Sequence, residues 1–87
     1  MEWVLMQSAE ITLRWGDPEP VVVVFVGDQP TVKRGKETFS PTTGKVIMAT
    51  EDTTWEWKFP RGPVSEALLW IDRQGRRWVK VHWRYSD

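Results

Sequence analysis

Few side chains in this sequence are suited to bond-making chemistry. The chain of 87 residues has a single histidine, His82, and no cysteine. His82 stands between Val81 and Trp83 in an alternating segment, and no serine lies in a motif that would make it a nucleophile. The residues therefore predict that the protein is not an enzyme and that His82 is an ordinary strand residue beside basic neighbours.

The residue types also give little support to a metal or phosphate site. One histidine without cysteine cannot form the usual zinc ligand sets, and the loop acids lack the spacing of a calcium loop. Residues 42–45, Thr-Thr-Gly-Lys, are like the end of a phosphate-binding loop. Phe39, however, stands where that loop has its first glycine, and Val46 stands where it has serine or threonine. We expect no cofactor and no metal, and we interpret Gly44 as part of a strand turn.

One group of side chains has a composition suited to binding a partner. It combines two tryptophans with basic residues that recur at every second position. The candidate partner-binding residues are Trp70, Arg76, Trp78, Lys80, His82 and Arg84. Aromatic rings interleaved with cations can anchor a protein or stack on bases and sugars. The alternative is a tryptophan pair that only stabilises a hairpin, with long basic side chains lying over it.

A β-hairpin must position these residues. Residues 67–72 and 76–85 alternate in polarity and flank a three-residue loop, in which Gly75 occupies the left-handed position that follows a type I turn. The predicted register pairs Trp70 with Trp78. One face then carries Ala67, Leu69, Ile71, Val79, Val81, Trp83 and Tyr85, and the other carries Leu68, Trp70, Arg76, Trp78, Lys80, His82 and Arg84.

The rest of the chain also has the two-residue period of β-strands. Apolar residues take odd positions between Trp3 and Trp15, in one bent strand or in two strands broken near residues 7–9. Residues 21–26 form a continuous apolar run, which is typical of a strand covered on both sides. Residues 64–69 could open a helical turn, but the alternation that follows favours a strand. Further strands are expected near residues 31–34, 46–49 and 53–59.

Seven or eight short strands between glycine and proline turns predict an all-β fold. We expect one domain over residues 1–87, built as a small antiparallel β-sandwich of Ig-like type; the alternative is an SH3-like small barrel. Without cysteine, packing of the seven tryptophans and the valine run must supply the stability. No targeting or membrane-spanning stretch is apparent, which predicts location in the cytoplasm or in a virion made there.

The formal charge is zero but unevenly divided. Residues 1–32 hold five acidic and one basic side chain, whereas residues 33–87 hold eleven basic and seven acidic ones. General nucleic-acid binders usually have a clear basic excess, so this balance weakens that class of function. Opposite charges at the two ends favour head-to-tail contact with neighbours or with copies of the chain. The alternative is that these charges only solvate the outer faces.

Several segments, taken in order, resemble small β-sandwich proteins of tailed-phage virions. Ile11-Thr12-Leu13 precedes the apolar run 21–26, and Trp55-Glu56-Trp57 precedes the hairpin of Trp70 and Trp78. This arrangement is similar to that of Ig-like head or tail accessory proteins of actinobacterial phages. The resemblance implies a structural role, with the chain bound to capsid, connector or tail subunits, and it transfers no active site.

Together, the residues and the resemblance predict a non-enzymatic structural or assembly protein of a phage virion. It would dock through tryptophan-anchored contacts on other virion subunits or on copies of itself. The alternative is a soluble binding module that inhibits or recruits a host protein or a single-stranded nucleic acid through the face of Trp70 and Trp78.

Overall fold

The computed structural model describes residues 2–13, 19–27, 29–42, 44–48 and 53–85, so that Trp15 lies outside the described residues. Within these ranges the chain forms nine β-strands and no helix, which confirms the all-β class. The strands are β1 (Val4–Met6), β2 (Glu10–Leu13), β3 (Val21–Val26), β4 (Gln29–Arg34), β5 (Glu37–Phe39), β6 (Lys45–Met48), β7 (Thr53–Lys58), β8 (Val64–Ile71) and β9 (Arg77–Trp83). The described part of the chain therefore has no helix that could cross a membrane.

The described strands form two separate antiparallel sheets. One sheet has five strands in the order β1-β9-β8-β7-β6, and the other has four in the order β2-β3-β4-β5. Apart from the pairing of β1 with β9, every pair joins strands that follow each other in sequence. No pairing between described strands links the two sheets, so the arrangement is sandwich-like and is not the closed barrel of the alternative.

A single apolar core lies between the two sheets. Valines of the four-stranded sheet, such as Val23, meet Leu69 and Val81 of the five-stranded sheet in one buried cluster. The ring of Phe25 contacts the ring of Trp57 edge-on across the layers, with centroids 6.1 Å apart. The buried core residues are Met6, Leu13, Val21, Val23, Phe25, Val32, Phe39, Trp57, Phe59, Val64, Ala67, Leu69, Val79 and Val81.

Gly44 is explained by this core and not by a phosphate loop. A Cβ atom at Gly44 would collide with the indole nitrogen of Trp57. Only glycine lets the backbone leading into β6 pass over that ring. The glycine of the Thr-Thr-Gly-Lys segment thus serves close packing.

The N-terminal alternation divides into two strands, but its odd positions do not share one face. β1 belongs to the five-stranded sheet and β2 to the four-stranded sheet, with the chain changing sheets at residues 7–9. Met6 and Leu13 are buried in the core, whereas Trp3 contacts Trp70 on the opposite side of the five-stranded sheet. Even-numbered Met6 faces the core in β1, whereas odd-numbered Leu13 faces it in β2, because the chain changes sheets between the two strands. The polarity pattern does not show this change.

The valine run forms β3, as predicted, but its two faces are covered to different degrees, and on the outer face Val22 and Val24 are only half-buried. Val21, Val23 and Phe25 are buried, whereas Val26 on the outer face is 71% exposed. The four-stranded sheet has no second layer on that side among the described residues, so the run is apolar without being fully enclosed.

The C-terminal hairpin has the predicted register. Trp70 lies opposite Trp78 and Leu69 opposite Val79. Gly75 has a φ of 80° at the end of the turn, the left-handed conformation that glycine adopts without steric cost. Residues 64–71 form a strand and not a helical turn.

Candidate docking surface

Three tryptophans meet on the outer surface of the five-stranded sheet. The rings of Trp70 and Trp78 stack across β8 and β9 with centroids 5.5 Å apart and an interplanar angle of 26°. Trp3 contacts Trp70 edge-on, with a centroid distance of 5.6 Å. Leu5 adjoins this group because it pairs with Trp78 in the sheet. We call the surface formed by Trp3, Leu5, Trp70 and Trp78 the aromatic face.

Sequence reasoning identified Trp70 and Trp78 but missed Trp3 as part of the same surface. The alternation of Trp3 and Leu5 predicted a strand, yet it gave no information about the partner of that strand. β1 pairs with the last strand of the chain, and only this long-range pairing brings Trp3 to the hairpin.

Asp72 fixes the position of Trp78. Its carboxylate is only 8% exposed and pairs with Arg76, whose Nε lies 2.7 Å from Oδ2. The indole Nε1 of Trp78 donates to the same Oδ2 at 3.0 Å, and the backbone amides of Gln74 and Arg76 donate to Oδ1 at 2.9 and 2.8 Å. Desolvation raises the pKa of Asp72, but the hydrogen bonds from Trp78, Arg76 and Gln74 outweigh it and lower the pKa to about 2. The ionised carboxylate therefore holds the ring of Trp78 in one orientation.

Two of the predicted cations lie over indole rings of the aromatic face. The guanidinium carbon of Arg76 is 5.7 Å from the ring centroid of Trp78, and Nζ of Lys80 is 5.8 Å from that of Trp3. Both distances lie within the range of cation–π attraction. Arg76 is already neutralised by Asp72, so Lys80 contributes more of the positive potential at this surface.

His82 belongs to a separate group of charges farther along the same side of the sheet. Its Nε2 lies 3.6 Å from a carboxylate oxygen of Glu66, which also forms a hydrogen-bonded ion pair with Lys58. The hydrogen bond and charge of Glu66 raise the pKa of Lys58. The hydroxyl of Ser65 donates to the backbone carbonyl of His82 at 3.1 Å and not to its imidazole. This geometry does not activate Ser65 as a nucleophile.

The predicted placement of Arg84 beside the tryptophans is not what the structure has. β9 ends at Trp83, so the strand alternation no longer directs residue 84. The Nε of Arg84 donates to the carbonyl of Gly62 at 2.8 Å, and its Nη2 donates to the carbonyls of Phe59 and Val64. Arg84 thus holds the chain end against the segment between β7 and β8.

The remaining described tryptophans serve the core. Trp57 is 4% exposed, and Trp55 and Trp83 pack against the buried cluster from its margin. The rings of Trp55 and Trp57 stack with centroids 6.1 Å apart. Of the described tryptophans, only Trp57 is fully enclosed. The others are partly exposed, Trp55 and Trp83 on the inner side at the margin of the core and Trp3, Trp70 and Trp78 on the outer side.

Arg77 is a second residue that sequence reasoning missed. It lies opposite Met6 and Ile71 on the inner side of the five-stranded sheet, where the flanking Val79 is fully buried. Its guanidinium carbon lies 5.2 Å from the ring centroid of Phe25. Nε and Nη2 are enclosed and have no hydrogen-bond acceptor among the described residues. The sequence did contain a signal, because Arg77 takes an odd position in β9 and the odd positions of this strand, such as Val79, face the core.

Aromatic and cationic side chains make up this surface. The described ranges contain no cluster of three or more acidic, histidine or cysteine side chains that could hold a metal ion. The aromatic face instead presents partly exposed indole rings whose orientations are fixed by stacking, by Asp72 and by Lys80. No protein-family model, curated protein or solved structure matches the chain.

Proposed function

We propose that the protein is a non-enzymatic assembly protein of a phage particle, which docks through its aromatic face onto another virion subunit or onto a copy of itself. The observation that supports this most directly is the cluster of Trp3, Trp70 and Trp78. All three rings remain partly exposed although they pack on one another.

Ordered tryptophans are efficient anchors for a protein partner. Each indole offers a large apolar area, and tryptophan and arginine are enriched among the residues that dominate binding energy at interfaces. Here the ring of Trp78 is already held by Asp72 and that of Trp70 by its two aromatic neighbours. Binding would therefore cost little additional side-chain entropy.

The assignment to virions rests on the resemblance of the strand pattern to Ig-like accessory proteins, and the two-layer antiparallel architecture supports it at that level. Apart from the pairing of β1 with β9, strands that follow each other in sequence pair in a meander, whereas Ig domains use Greek-key connections between their sheets. We therefore propose that the protein shares the two-layer antiparallel architecture of Ig domains but connects its strands in a different order.

The alternative, a nucleic-acid-binding module, has less support from the positions of the cations. Arg76 is paired with Asp72, His82 lies beside Glu66, and Arg84 donates to backbone carbonyls. Phosphate contacts need cations that can approach a strand, and these three are engaged within the protein.

The decisive experiment supplies the chain to a phage that lacks its gene and measures the copies retained in purified particles. We expect a fixed copy number for the wild type and loss of Trp70→Ala and Trp3→Ala from particles. Val26→Ala is the matched control, because Val26 is an exposed apolar residue on the other sheet. Each variant is first checked for a cooperative thermal transition, so that misfolding is separated from loss of docking.

Particles without the wild-type chain would overturn the proposal. Tight binding of an oligothymidylate by the isolated chain, weakening steeply as salt rises, would replace it with the nucleic-acid alternative, because phosphate contacts release counterions.

A further inference from the structure

A cavity of about 390 Å³ opens beside the aromatic face. It is lined by residues 5–8, which end β1 and begin the crossing to the other sheet, and by residues 75–77, which lead into β9. Leu5 belongs to both the cavity and the aromatic face, and Arg76 lines the cavity while lying over Trp78. A partner that covers the aromatic face would therefore also reach this opening.

Arg77 forms part of the cavity wall and has an unusual environment for a cation. It projects to the inner side of the sheet and packs over Phe25. Its Nε and Nη2 are enclosed without an acceptor among the described residues, so an anion in the cavity would meet the guanidinium at Nη1, which is not among the enclosed atoms. A partly desolvated charge without a counterion is costly, and a nearby anion recovers much of that cost.

The rest of the cavity wall favours an anion. None of residues 5–8 and 75–77 is acidic, and the amide of Gln7 adds a hydrogen-bond donor. Glu2 and Glu10, which flank residues 5–8 in sequence, are exposed and do not line the cavity. The carboxylate of Asp72, which precedes residues 75–77, is committed to Arg76, Trp78 and Gln74. Leu5 and Met6 provide an apolar wall for the aliphatic part of a side chain.

We propose that a carboxylate side chain of the docking partner enters this cavity and neutralises Arg77. The proposal extends the proposed function, since it names the chemistry that the partner presents next to the tryptophans. An aspartate or glutamate at the edge of the partner's apolar patch would add charge complementarity to the aromatic contact, which favours the correct register and partner.

The test uses the isolated chain and small probes, observed by NMR. N-acetylglutamate is titrated while the side-chain Nε–H resonance of Arg77 and the backbone amides of Met6 and Gly75 are followed. We expect saturable shifts with a millimolar dissociation constant. N-acetylglutamine, the neutral counterpart of the same size, should produce none of them. Inorganic phosphate distinguishes a carboxylate site from a site for any oxyanion.

Arg77→Met is the decisive variant, because methionine keeps an unbranched apolar stem and removes the charge. We expect it to lose the shifts of Met6 and Gly75 and to keep or raise the thermal midpoint, since it removes a partly enclosed cation whose Nε and Nη2 have no acceptor in the described part of the chain. Arg61→Met, an exposed arginine outside the cavity, is the matched control and should leave both the shifts and the midpoint unchanged.

Equal shifts from N-acetylglutamine, shifts from phosphate alone, or unaltered binding by Arg77→Met would each overturn the carboxylate site. So would an absence of shifts at the solubility limit of N-acetylglutamate. These outcomes are independent of particle assembly, so a failure here leaves docking through the aromatic face intact. Conversely, particles that lack the chain would not affect binding of N-acetylglutamate.

Discussion

The five-stranded sheet carries a stacked tryptophan pair on each of its sides. On the inner side the rings of Trp55 and Trp57 lie 6.1 Å apart at 17°, and on the outer side those of Trp70 and Trp78 lie 5.5 Å apart at 26°. The ring geometry is similar, but the surroundings differ. The four-stranded sheet covers Trp57, which is 4% exposed, whereas only neighbours on the same sheet cover the outer pair.

This difference shows that stacking by itself does not tell whether a tryptophan is structural or available to a partner. The presence of a second layer decides it, because ring contacts within one sheet leave the far side of each indole accessible. The comparison is best tested by substitutions on the two sides of the sheet, whose effects on the free energy of unfolding should fall from the core outward.

The largest loss of stability is expected for Trp57→Ala. This substitution opens a cavity between the sheets where Trp57 meets Phe25, and truncation of a core aromatic typically costs about 3–5 kcal/mol. Chemical denaturation followed by circular dichroism would measure it. A cost similar to that of Trp70→Ala would mean that the inner pair contributes no more to stability than the outer pair, which would contradict a structural role specific to Trp57.

A smaller loss is expected for Trp70→Ala on the outer side. Trp70 loses its contacts with Trp3 and Trp78, but it leaves no sealed cavity, so we expect a cost of about 1–2 kcal/mol. The same denaturation experiment would measure it, with Trp57→Ala run alongside. If Trp70→Ala prevented folding altogether, the aromatic face would be part of the structural core and its docking role would lose its basis.

A pH-dependent loss is expected from Asp72. Its folded pKa of about 2 lies below the ordinary value of 3.8, so the ionised carboxylate stabilises the fold fully above 3.8. That contribution is lost as the pH falls from 3.8 through about 2. Thermal midpoints measured across this interval should therefore decline less steeply in Asp72→Asn than in the wild type.

The fluorescence of Trp78 provides an independent check on Asp72. Its indole hydrogen bond to the carboxylate should weaken over the same acid interval, changing the emission of the outer pair. If the fluorescence of the wild type and of Asp72→Asn changed with pH in the same way, other carboxylates would control the transition. Asp72 would then not be the residue that holds the ring of Trp78.

The smallest effect is expected for Val26→Thr. Val26 is 71% exposed at the end of β3, and threonine keeps the β-branched shape that strands favour. Substitutions at such positions usually change stability by less than about 0.5 kcal/mol. A larger loss in the denaturation midpoint would indicate that the outer side of the four-stranded sheet is covered in solution.

Much of the local structure could be predicted from the sequence because local signals determine it. The hairpin register follows from the turn that places Gly75 in its left-handed position, and the alternation around it separates Leu69 and Val79 from Trp70 and Trp78. The position of Arg84 could not be obtained in this way, because the alternation continues in the sequence after the strand itself has ended.

The short strand β5 escaped prediction for a related reason. Its three residues are too few to establish a period, and only Phe39 among them is buried. Arg34 pairs with Glu37 across a two-residue turn in which Gly35 has a φ of 60°, so the available signal for β5 was this turn and not a polarity pattern.

The amino-acid sequence by itself determined an all-β chain, most of its strands, and a hairpin of known register in which Trp70 and Trp78 pair. These features depend on neighbouring residues, whose alternation and turn chemistry act over a few positions. Only the tertiary structure decided that Trp3 joins this pair, that Val26 is exposed, and that Arg77 lies at the margin of the core. Each of these depends on which strands and layers meet, and that is set by contacts between residues far apart in the chain.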